Sequence, residues 1–298
     1  MRTIVFGIRK SALARRQLEE FIAYLAKNSV TIPHTVKAIQ TQGDKDKTSP
    51  MDQMGQGIFT KEIERAILSH EIDCAVHSLK DMPVKATAGT VLSFCGPRED
   101  VRDCLVLRDG VSGNDLKGLR IGTGSPRREA FLKEIAPSVK LLPIRGNVDT
   151  RLRKLDQGDY EGIVLAACGL KRLGYGNRIS RYFDPQTFVP AAGQGVICSQ
   201  TRADDAEINS VLEKCASLDT AQAVAAERKV LEALEVGCHT PFGVYARFDK
   251  EQFIISARLY VEHNNRYIAE QRTSSRMDRE KVTADLIDGL KKQAGKQK

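Results

Sequence analysis

The segment 77–83 carries a lysine and a carboxylate side by side, directly after a predicted buried strand over 74–77. Lys80 is suited to hold a substrate carboxylate, and Asp81 is suited to hold a cationic centre. In open α/β sheets, ligands bind beyond the carboxyl ends of the strands, which is where this pair falls. The residues alone also allow a surface ion pair that precedes a proline turn.

Two predicted helix starts combine a hydroxyl residue with arginine. Ser11 follows Arg9, and the segment 123–125 (Thr-Gly-Ser) precedes Arg127 and Arg128. Free backbone N–H groups, the positive end of the helix dipole and a nearby guanidinium together make an anion site. Helix capping by serine is the structural alternative, and it is compatible with anion binding.

A third strand end contains Arg145 and Arg151, which bracket a Gly146-Asn147 turn. The planar guanidinium of arginine grips a carboxylate or phosphate with two hydrogen bonds. Because such residues recur at successive strand ends, we expect them to line one cleft together with the arginines at 127 and 128. A solvated helix face is the alternative.

Cys238 lies in a loop between a glycine and His239, and it is suited to act as a nucleophile or attachment point. From the residues alone, a plain loop cysteine is the simpler interpretation. The chain has seven cysteines and no C-x-x-C pair. This predicts no disulfide framework and no metal site, and it favours a reducing cytoplasm.

The elements that position these residues follow an α/β pattern. The 298 residues are 41% hydrophobic and 28% charged, which is typical of a globular chain of two or three domains. No apolar run is long enough to span a bilayer, and the start shows no signal-peptide core. We therefore expect no membrane partner and a cytoplasmic location.

Strands and helices alternate in two similar series, which predicts parallel sheets with helices on both faces. After about residue 240 the pattern changes to three antiparallel strands and a final helix, which predicts an α+β module. The boundaries are expected near residues 97, 190 and 218. A polar loop of about fifteen residues at 43–57 has the length of a functional lid.

The positive charge is concentrated in one segment. The formal net charge is +8, and residues 120–181 hold 13 basic and six acidic residues, a local excess of +7. An acidic small molecule, nucleic acid or a membrane surface would each suit such a charge. Nucleic acid is disfavoured because the chain has no tryptophan and no zinc-finger or RNA-recognition pattern.

Taken in order, these segments resemble the porphobilinogen deaminase (hydroxymethylbilane synthase) family along nearly the whole chain. The segments that carry the resemblance are RKSALA at 9–14, FTKE at 59–62, HSLKDMP at 77–83, Arg127-Arg128, RGNVDTRL at 145–152, ACGLKRLG at 167–174, PAAGQG at 190–195 and Gly237-Cys238.

The resemblance implies a fold and an activity. Two α/β domains like those of type II periplasmic binding proteins would span 1–97 with 196–217, and 98–195. A small α+β domain would span 218–298. The family condenses four porphobilinogen molecules head to tail, with loss of ammonia at each step, and water then releases linear hydroxymethylbilane. The chain grows on a covalent dipyrromethane cofactor, and a monomer is expected.

The resemblance also assigns roles. Cys238 would hold dipyrromethane through a thioether, and Asp81 would be the catalytic carboxylate that stabilises the cationic methylene-pyrrolenine. The remaining cofactor-binding residues would be Lys80, Asp81, Thr123, Ser125, Arg127, Arg128, Arg145 and Gly146. The substrate-binding residues would be Arg9, Ser11, Arg145, Arg151, Arg172 and Gln194. No metal is implied, and 43–57 would be the lid.

The chain departs from the family pattern at four positions, which are Ile8, Gln56, Gly124 and Val236. Two of these changes remove a hydroxyl donor and a lid cation, at Ile8 and Gln56. Gly124 replaces a second serine, and Val236 replaces a glycine before the cysteine. A non-catalytic anion-binding protein with the same two-lobed architecture is the main alternative function, and it predicts no covalent adduct.

Overall fold

The computed structural model describes residues 2–45, 57–94, 96–113, 115–236, 240–261 and 265–295. The chain forms two compact units. The first unit is Met1–Glu99 with Gly195–Ala221, and the second is Asp100–Gln194 with Gln222–Lys298. The chain passes between the units after Glu99, Gln194 and Ala221. A separate third domain at 218–298 stays a prediction.

The first unit is built on a five-stranded sheet in the order β2-β1-β3-β10-β4. The central strands Ile4–Arg9 and Cys74–Ser78 are mostly apolar, as expected of strands covered on both faces. The third central strand, Ile197–Arg202, is buried but polar from Ser199 onward. β1 runs parallel to β2 and β3, whereas β10 runs antiparallel to β3 and β4. The strands are β1 (Ile4–Arg9), β2 (His34–Ile39), β3 (Cys74–Ser78), β4 (Thr90–Ser93) and β10 (Ile197–Arg202).

Helices cover both faces of this sheet. α1 (Ala12–Lys27) buries Leu18, Phe21 and Leu25, whose spacing places them on one helix face. The Oγ of Ser11 accepts a hydrogen bond from the backbone N–H of Ala14, so the predicted cap is confirmed. The other helices of this unit are α2 (Gln42–Lys45), α3 (Lys61–Leu68) and α7 (Ala206–Lys214).

The second unit holds a five-stranded sheet in the order β7-β6-β8-β5-β9. β6 runs parallel to β7 and β8, and β5 runs antiparallel to β8 and β9. The strands are β5 (Asp103–Leu107), β6 (Arg120–Gly122), β7 (Lys140–Leu142), β8 (Gly162–Ala166) and β9 (Arg181–Tyr182). The helices that follow the parallel strands are α4 (Pro126–Ile135), α5 (Val148–Asp156) and α6 (Ala167–Arg172).

The prediction of parallel sheets was therefore only partly right, because both sheets are mixed. β5 and β10 are the first strands after the chain passes from one unit to the other. A helix that links two strands of one sheet makes them parallel, but neither strand is joined in this way to its sheet neighbours. Local periodicity did not determine their direction for that reason.

The C-terminal module of the second unit is antiparallel, as predicted. Its sheet has the order β11-β12-β13, and it has a core of its own that includes Val230, Phe253, Ile255 and Leu286. Its elements are α8 (Leu218–Ala233), β11 (Phe242–Asp249), β12 (Gln252–Val261), β13 (Arg266–Ser275) and α9 (Arg279–Gly295). Across the described parts of both units, no helix has the length and apolarity needed to cross a bilayer.

Candidate active site

Asp81 and Lys80 lie where sequence analysis placed them, just beyond the carboxyl end of β3. They belong to a 3-10 turn, Leu79–Asp81, and both side chains are exposed. The turn is anchored because the buried Leu79 donates its backbone N–H to the carbonyl of Val196 at 3.0 Å. The backbone N–H of Met82 in turn donates to the Leu79 carbonyl at 3.0 Å. The turn thus presents a lysine and a carboxylate to solvent on a fixed backbone.

The two residues before this turn are polar; His77 is buried and Ser78 is half-buried. The amide of Gln17, which is buried in α1, donates to the Oγ of Ser78 at 2.7 Å. His77 is 5% exposed, and its Nε2 has no hydrogen-bond partner. Burial lowers the pKa of His77 to about 4, the nearby charge of Arg9 acts in the same direction, and the Gln200 side chain opposes it. The ring is therefore neutral at neutral pH, and sequence analysis assigned it no role.

Arg9 ends β1 at the same sheet edge as the turn after β3, because these strands are parallel. Its Nη2 donates to the Oδ1 of Asp44 at 2.6 Å, and its guanidinium carbon lies 4.0 Å from the ring centre of Phe59. Burial opposes ionisation of Asp44, but its bonds to Arg9 and Thr41 lower its pKa. The guanidinium that was expected to bind substrate is thus already paired with a carboxylate.

In the second unit, the start of α4 lies at the carboxyl end of β6. The Oγ of Ser125 accepts from the backbone N–H of Arg128 at 3.5 Å, which makes Ser125 the predicted cap. The Oγ1 of Thr123 accepts from the backbone N–H of Ser125 at 3.2 Å, and Thr123 is 5% exposed. Pro126 at the first helical position suits this start because it lacks an N–H. A helix start with hydroxyl groups therefore faces this sheet edge.

Arg127 and Arg128, which were expected to line a cleft, are buried. They are 5% and 7% exposed, and both form ion pairs with Asp103, which is fully buried at the start of β5. Sequence analysis did not single out Asp103. Its only local signal is a carboxylate at the start of a buried apolar strand, and that pattern does not reveal its partners.

Arg145 and Arg151 lie at the carboxyl end of β7 and in the first turn of α5, and both are half-buried. The Nε of Arg151 donates to the carbonyl of Gly146 at 2.7 Å. Gly146 has φ +112°, and a Cβ there would lie 2.8 Å from the Cγ2 of Thr150. The glycine is thus required by both the backbone conformation and the close approach of α5.

Arg172 and Gln194 differ in their exposure. Arg172 is the half-buried last residue of α6, which follows β8. Gln194 is fully buried, and its Nε2 donates to the carbonyl of Val101 at 2.7 Å and to the Oδ1 of Asp103 at 3.0 Å. Gln194 therefore contacts the same carboxylate, Asp103, with which Arg127 and Arg128 form ion pairs.

Part of the positive excess at 120–181 is balanced within the second unit. Lys171 pairs with Asp100 at 2.6 Å, and Arg127 and Arg128 both pair with Asp103. These two carboxylates lie outside 120–181, so the excess of +7 does not include them. The local charge count alone therefore overstates how much of this charge is available to a ligand.

Two expectations fall outside the described residues. Cys238 lies in 237–239, and most of the expected lid lies in 46–56. Five of the described cysteines are buried: Cys74, Cys104, Cys168, Cys198 and Cys215. Among the described residues, no group of three or more His, Cys, Asp or Glu is arranged to hold a metal ion.

The fold and the site define an α/β protein whose strand ends and helix starts, rich in arginine and hydroxyl groups, suit a ligand that carries several carboxylates. Residues 4–210 match the family model described as porphobilinogen deaminase, dipyromethane cofactor binding domain. Residues 221–291 match the model of the porphobilinogen deaminase C-terminal domain.

Relatives of known name agree with these matches. The porphobilinogen deaminase of Oceanobacillus iheyensis is 41% identical over 260 residues, which cover 86% of this chain and 84% of the relative. That of Bacillus pumilus is 36% identical over an alignment of 311 residues that covers 100% of both chains. The chain therefore belongs to the porphobilinogen deaminase family. It is a transferase with a dipyrromethane cofactor-binding domain.

Solved structures that are similar to the chain include two binding proteins. The periplasmic aliphatic sulphonate binding protein of Escherichia coli has a TM-score of 0.42 and 12% identity, and the match covers 79% of this chain and 71% of that one. The substrate binding protein of an amino acid ABC transporter has a TM-score of 0.40 and 15% identity, with coverage of 78% and 95%.

Proposed function

We propose that Asp81 is the catalytic carboxylate of the hydroxymethylbilane synthase reaction in this chain, and that the described arginines bind the carboxylates of its substrate, porphobilinogen, and of its cofactor. The single observation that carries the proposal is the exposed carboxylate of Asp81 on an anchored turn at the carboxyl end of β3. The reaction develops positive charge on the substrate as ammonia leaves. A fixed negative charge stabilises that charge without having to reorganise.

Asp81 has two tasks in this proposal. Its carboxylate accepts hydrogen bonds from pyrrole N–H groups, which orients the reacting ring. It also stays near the carbon that becomes cationic, and it receives and returns a proton during bond formation. Lys80, exposed beside it, binds a substrate carboxylate as a compact positive charge.

The helix starts of the second unit suit the side chains of dipyrromethane. Each pyrrole ring brings an acetate and a propionate group, and the capped start of α4 offers Thr123, Ser125 and the positive end of the helix dipole. Arg145 and Gly146 add donors at the next strand end. When bound, the dipyrromethane supplies the pyrrole carbon to which the first substrate is joined.

Arg127 and Arg128, in the first turn of α4, are also assigned to the carboxylates of dipyrromethane. Substrate carboxylates are assigned to Arg9, Arg151 and Arg172. Arg151 and Arg172 are half-buried, so they bind anions in a setting of reduced dielectric. Arg9 and Ser11 lie at the carboxyl end of β1, at the same sheet edge as Asp81. In this scheme Arg9 releases Asp44 when a substrate carboxylate arrives. Gln194 acts through Asp103, to which it donates a hydrogen bond and with which Arg127 and Arg128 form ion pairs.

The covalent attachment to Cys238 is proposed from the family resemblance, because this residue lies outside the described part of the chain. The expected result is an intact mass that includes one dipyrromethane, and its loss in Cys238→Ser. The cytoplasmic location is proposed as well. Its support is the set of buried thiols among the described cysteines, which suits a reducing compartment. The monomeric state stays a prediction.

The decisive experiment compares Asp81→Asn with wild type. We expect kcat for porphobilinogen consumption to fall by roughly 10²–10⁴-fold, with an unchanged thermal midpoint and unchanged dipyrromethane content. The matched control is Asp156→Asn, another carboxylate on the surface, which pairs with Arg178 at 2.6 Å. The control should keep wild-type activity. A wild-type kcat in Asp81→Asn would exclude the assigned role.

A further inference from the structure

Asp103 lies between two buried guanidinium groups at the start of β5. We infer that Asp103 is a positioning residue that fixes Arg127 and Arg128 for carboxylate binding. The inference rests on the proposed function, which assigns to these arginines the carboxylates of dipyrromethane. Neither the strand pattern nor the local charge pattern pointed to this aspartate.

One oxygen of Asp103 gathers three donors. Its Oδ1 accepts from the Nε and Nη2 of Arg128 at 2.9 Å and 2.7 Å, and from the Nε2 of Gln194 at 3.0 Å. The Nη1 of Arg128 donates to the carbonyl of Val164 in β8 at 3.2 Å. All three guanidinium nitrogens are therefore held by the sheet, so the group has no freedom to rotate away.

The second oxygen of Asp103 holds Arg127 in a different way. The Nη1 of Arg127 forms an ion pair with Oδ2 at 2.7 Å. The same Nη1 donates to the carbonyl of Val189 at 2.8 Å. Arg127 is thus drawn to Asp103 by charge and oriented by a backbone carbonyl.

The charge of this group of three is not balanced. Asp103 is fully buried and both arginines are less than a tenth exposed, so two positive charges face one negative charge in a region with little water. Although burial opposes ionisation, Arg127 and Arg128 hold the pKa of Asp103 well below its usual range. The group therefore keeps a net charge of +1, which an arriving carboxylate would compensate.

The position of the group explains how it acts on a ligand. β5 is antiparallel to β8, and Asp103 pairs with Ala166, so the start of β5 lies at the carboxyl end of β8. The capped start of α4 lies at this same edge, because β6 and β8 are parallel. Asp103 thus fixes the two guanidinium groups at the sheet edge where the capped helix start with Thr123 and Ser125 lies.

The test uses Asp103→Asn and Asp103→Glu in the full-length protein. Asparagine keeps the shape but removes the charge, and glutamate keeps the charge but moves it. The first readout is the fraction of purified, folded protein that carries dipyrromethane by intact mass. The second is the KM and kcat of the loaded fraction. Asp156→Asn is the matched control on the surface.

We expect both variants to fold and to lose about tenfold or more in cofactor occupancy, as expected when charged hydrogen bonds are lost or displaced. The loaded fraction should show a raised KM with a smaller change in kcat. Occupancy and KM at wild-type values in folded Asp103→Asn would overturn the inference. Failure of both variants to fold would also overturn it, because a structural role would then suffice.

The outcome is separable from that of the proposed function. If the wild-type protein carries no dipyrromethane and Asp81→Asn keeps full activity, the proposed function fails. If the wild-type protein is loaded and Asp81→Asn is inactive, but Asp103→Asn behaves like wild type, only the role of Asp103 fails.

Discussion

Arg9 and Asp44 form an ion pair at the carboxyl edge of the first sheet. The Nη2 of Arg9 lies 2.6 Å from the Oδ1 of Asp44, and their side chains are 21% and 11% exposed. The ring centre of Phe59 lies 4.0 Å from the guanidinium carbon. Asp44 therefore already pairs with the arginine that we assign to a substrate carboxylate. The carboxylate of Asp44 and that of the substrate must compete for Arg9.

This competition predicts the effect of Asp44→Asn. Removing the negative charge should free Arg9 and lower the KM for porphobilinogen by up to about fivefold, since a partly exposed ion pair contributes about 1 kcal/mol or less. The kcat should be unchanged. Steady-state kinetics at fixed ionic strength will measure both constants.

The control for this variant is Glu19→Gln, which removes the carboxylate of the exposed Arg16–Glu19 pair in the same unit. It should leave the KM unchanged. A higher KM in Asp44→Asn would contradict the competition and would mean that Asp44 holds Arg9 in its binding position.

Gly124→Ser should destabilise the second unit, although serine is common at this position in the family. A Cβ at Gly124 would lie 2.8 Å from the carbonyl oxygen of Ile144, which is backbone and not free to move aside. Overpacking of this kind costs about 1–3 kcal/mol. Thermal denaturation should show a lower midpoint. Gly176→Ser is the control, because its nearest atom is the Cγ of Lys171 at 3.8 Å; equal midpoints in the two variants would be evidence against this packing argument.

Glu227→Gln should destabilise the C-terminal module. The fully buried carboxylate of Glu227 in α8 accepts from the backbone N–H of Gly193 at 2.7 Å and of Ala246 at 2.8 Å. The amide would turn a donor toward one of these N–H groups, which costs about 2–3 kcal/mol for a charged hydrogen bond. Urea denaturation measures the loss. Glu232→Gln, exposed on the same helix, should show none, and a similar loss in both would refute the assignment.

Stability should fall as the pH is lowered from 6.5 toward 4. Burial lowers the pKa of His77 from 6.5 to about 4, so between these values the unfolded chain binds more protons than the folded chain. Linkage then makes the free energy of unfolding rise with pH across this window, by up to about 3 kcal/mol. Urea denaturation at pH 7, 6 and 5 checks the slope.

Two variants isolate the histidine. His77→Asn should flatten the slope between pH 7 and pH 5, whereas His70→Asn, on an exposed residue, should leave it unchanged. Asp103 affects stability at a lower pH than His77 does. Its pKa is lowered in the folded protein, so the stability that it adds is lost only at a pH where carboxylates become protonated. An unchanged slope in His77→Asn would show that other groups cause the pH dependence.

Sequence reasoning was most successful where the cause is local. The caps at Ser11 and Ser125 follow from the hydroxyl oxygen that each offers to a backbone N–H within three residues. The alternation of strands and helices follows from the apolar spacing, and Lys80 and Asp81 follow the end of β3 as predicted. These features need only neighbouring residues.

Sequence reasoning was less successful where partners are far apart along the chain. Asp103 accepts from Gln194 across 91 positions and from Arg128 across 25, and no local pattern reports such pairs. The directions of β5 and β10 depend on where the chain crosses between units. The sequence shows where the arginines lie along the chain. Which of them are buried, and which already pair with a carboxylate, depends on these distant contacts.

The sequence by itself determined the elements, the helix starts and the chemical types at the strand ends, because short-range hydrogen bonding and apolar periodicity control them. Together with its ordered motifs, it also determined the family. Only the tertiary structure decided that Arg127 and Arg128 share one buried carboxylate and that Arg9 is held by Asp44. The physical reason is that burial and charge pairing arise when distant segments pack, and a residue's ability to bind a ligand depends on both.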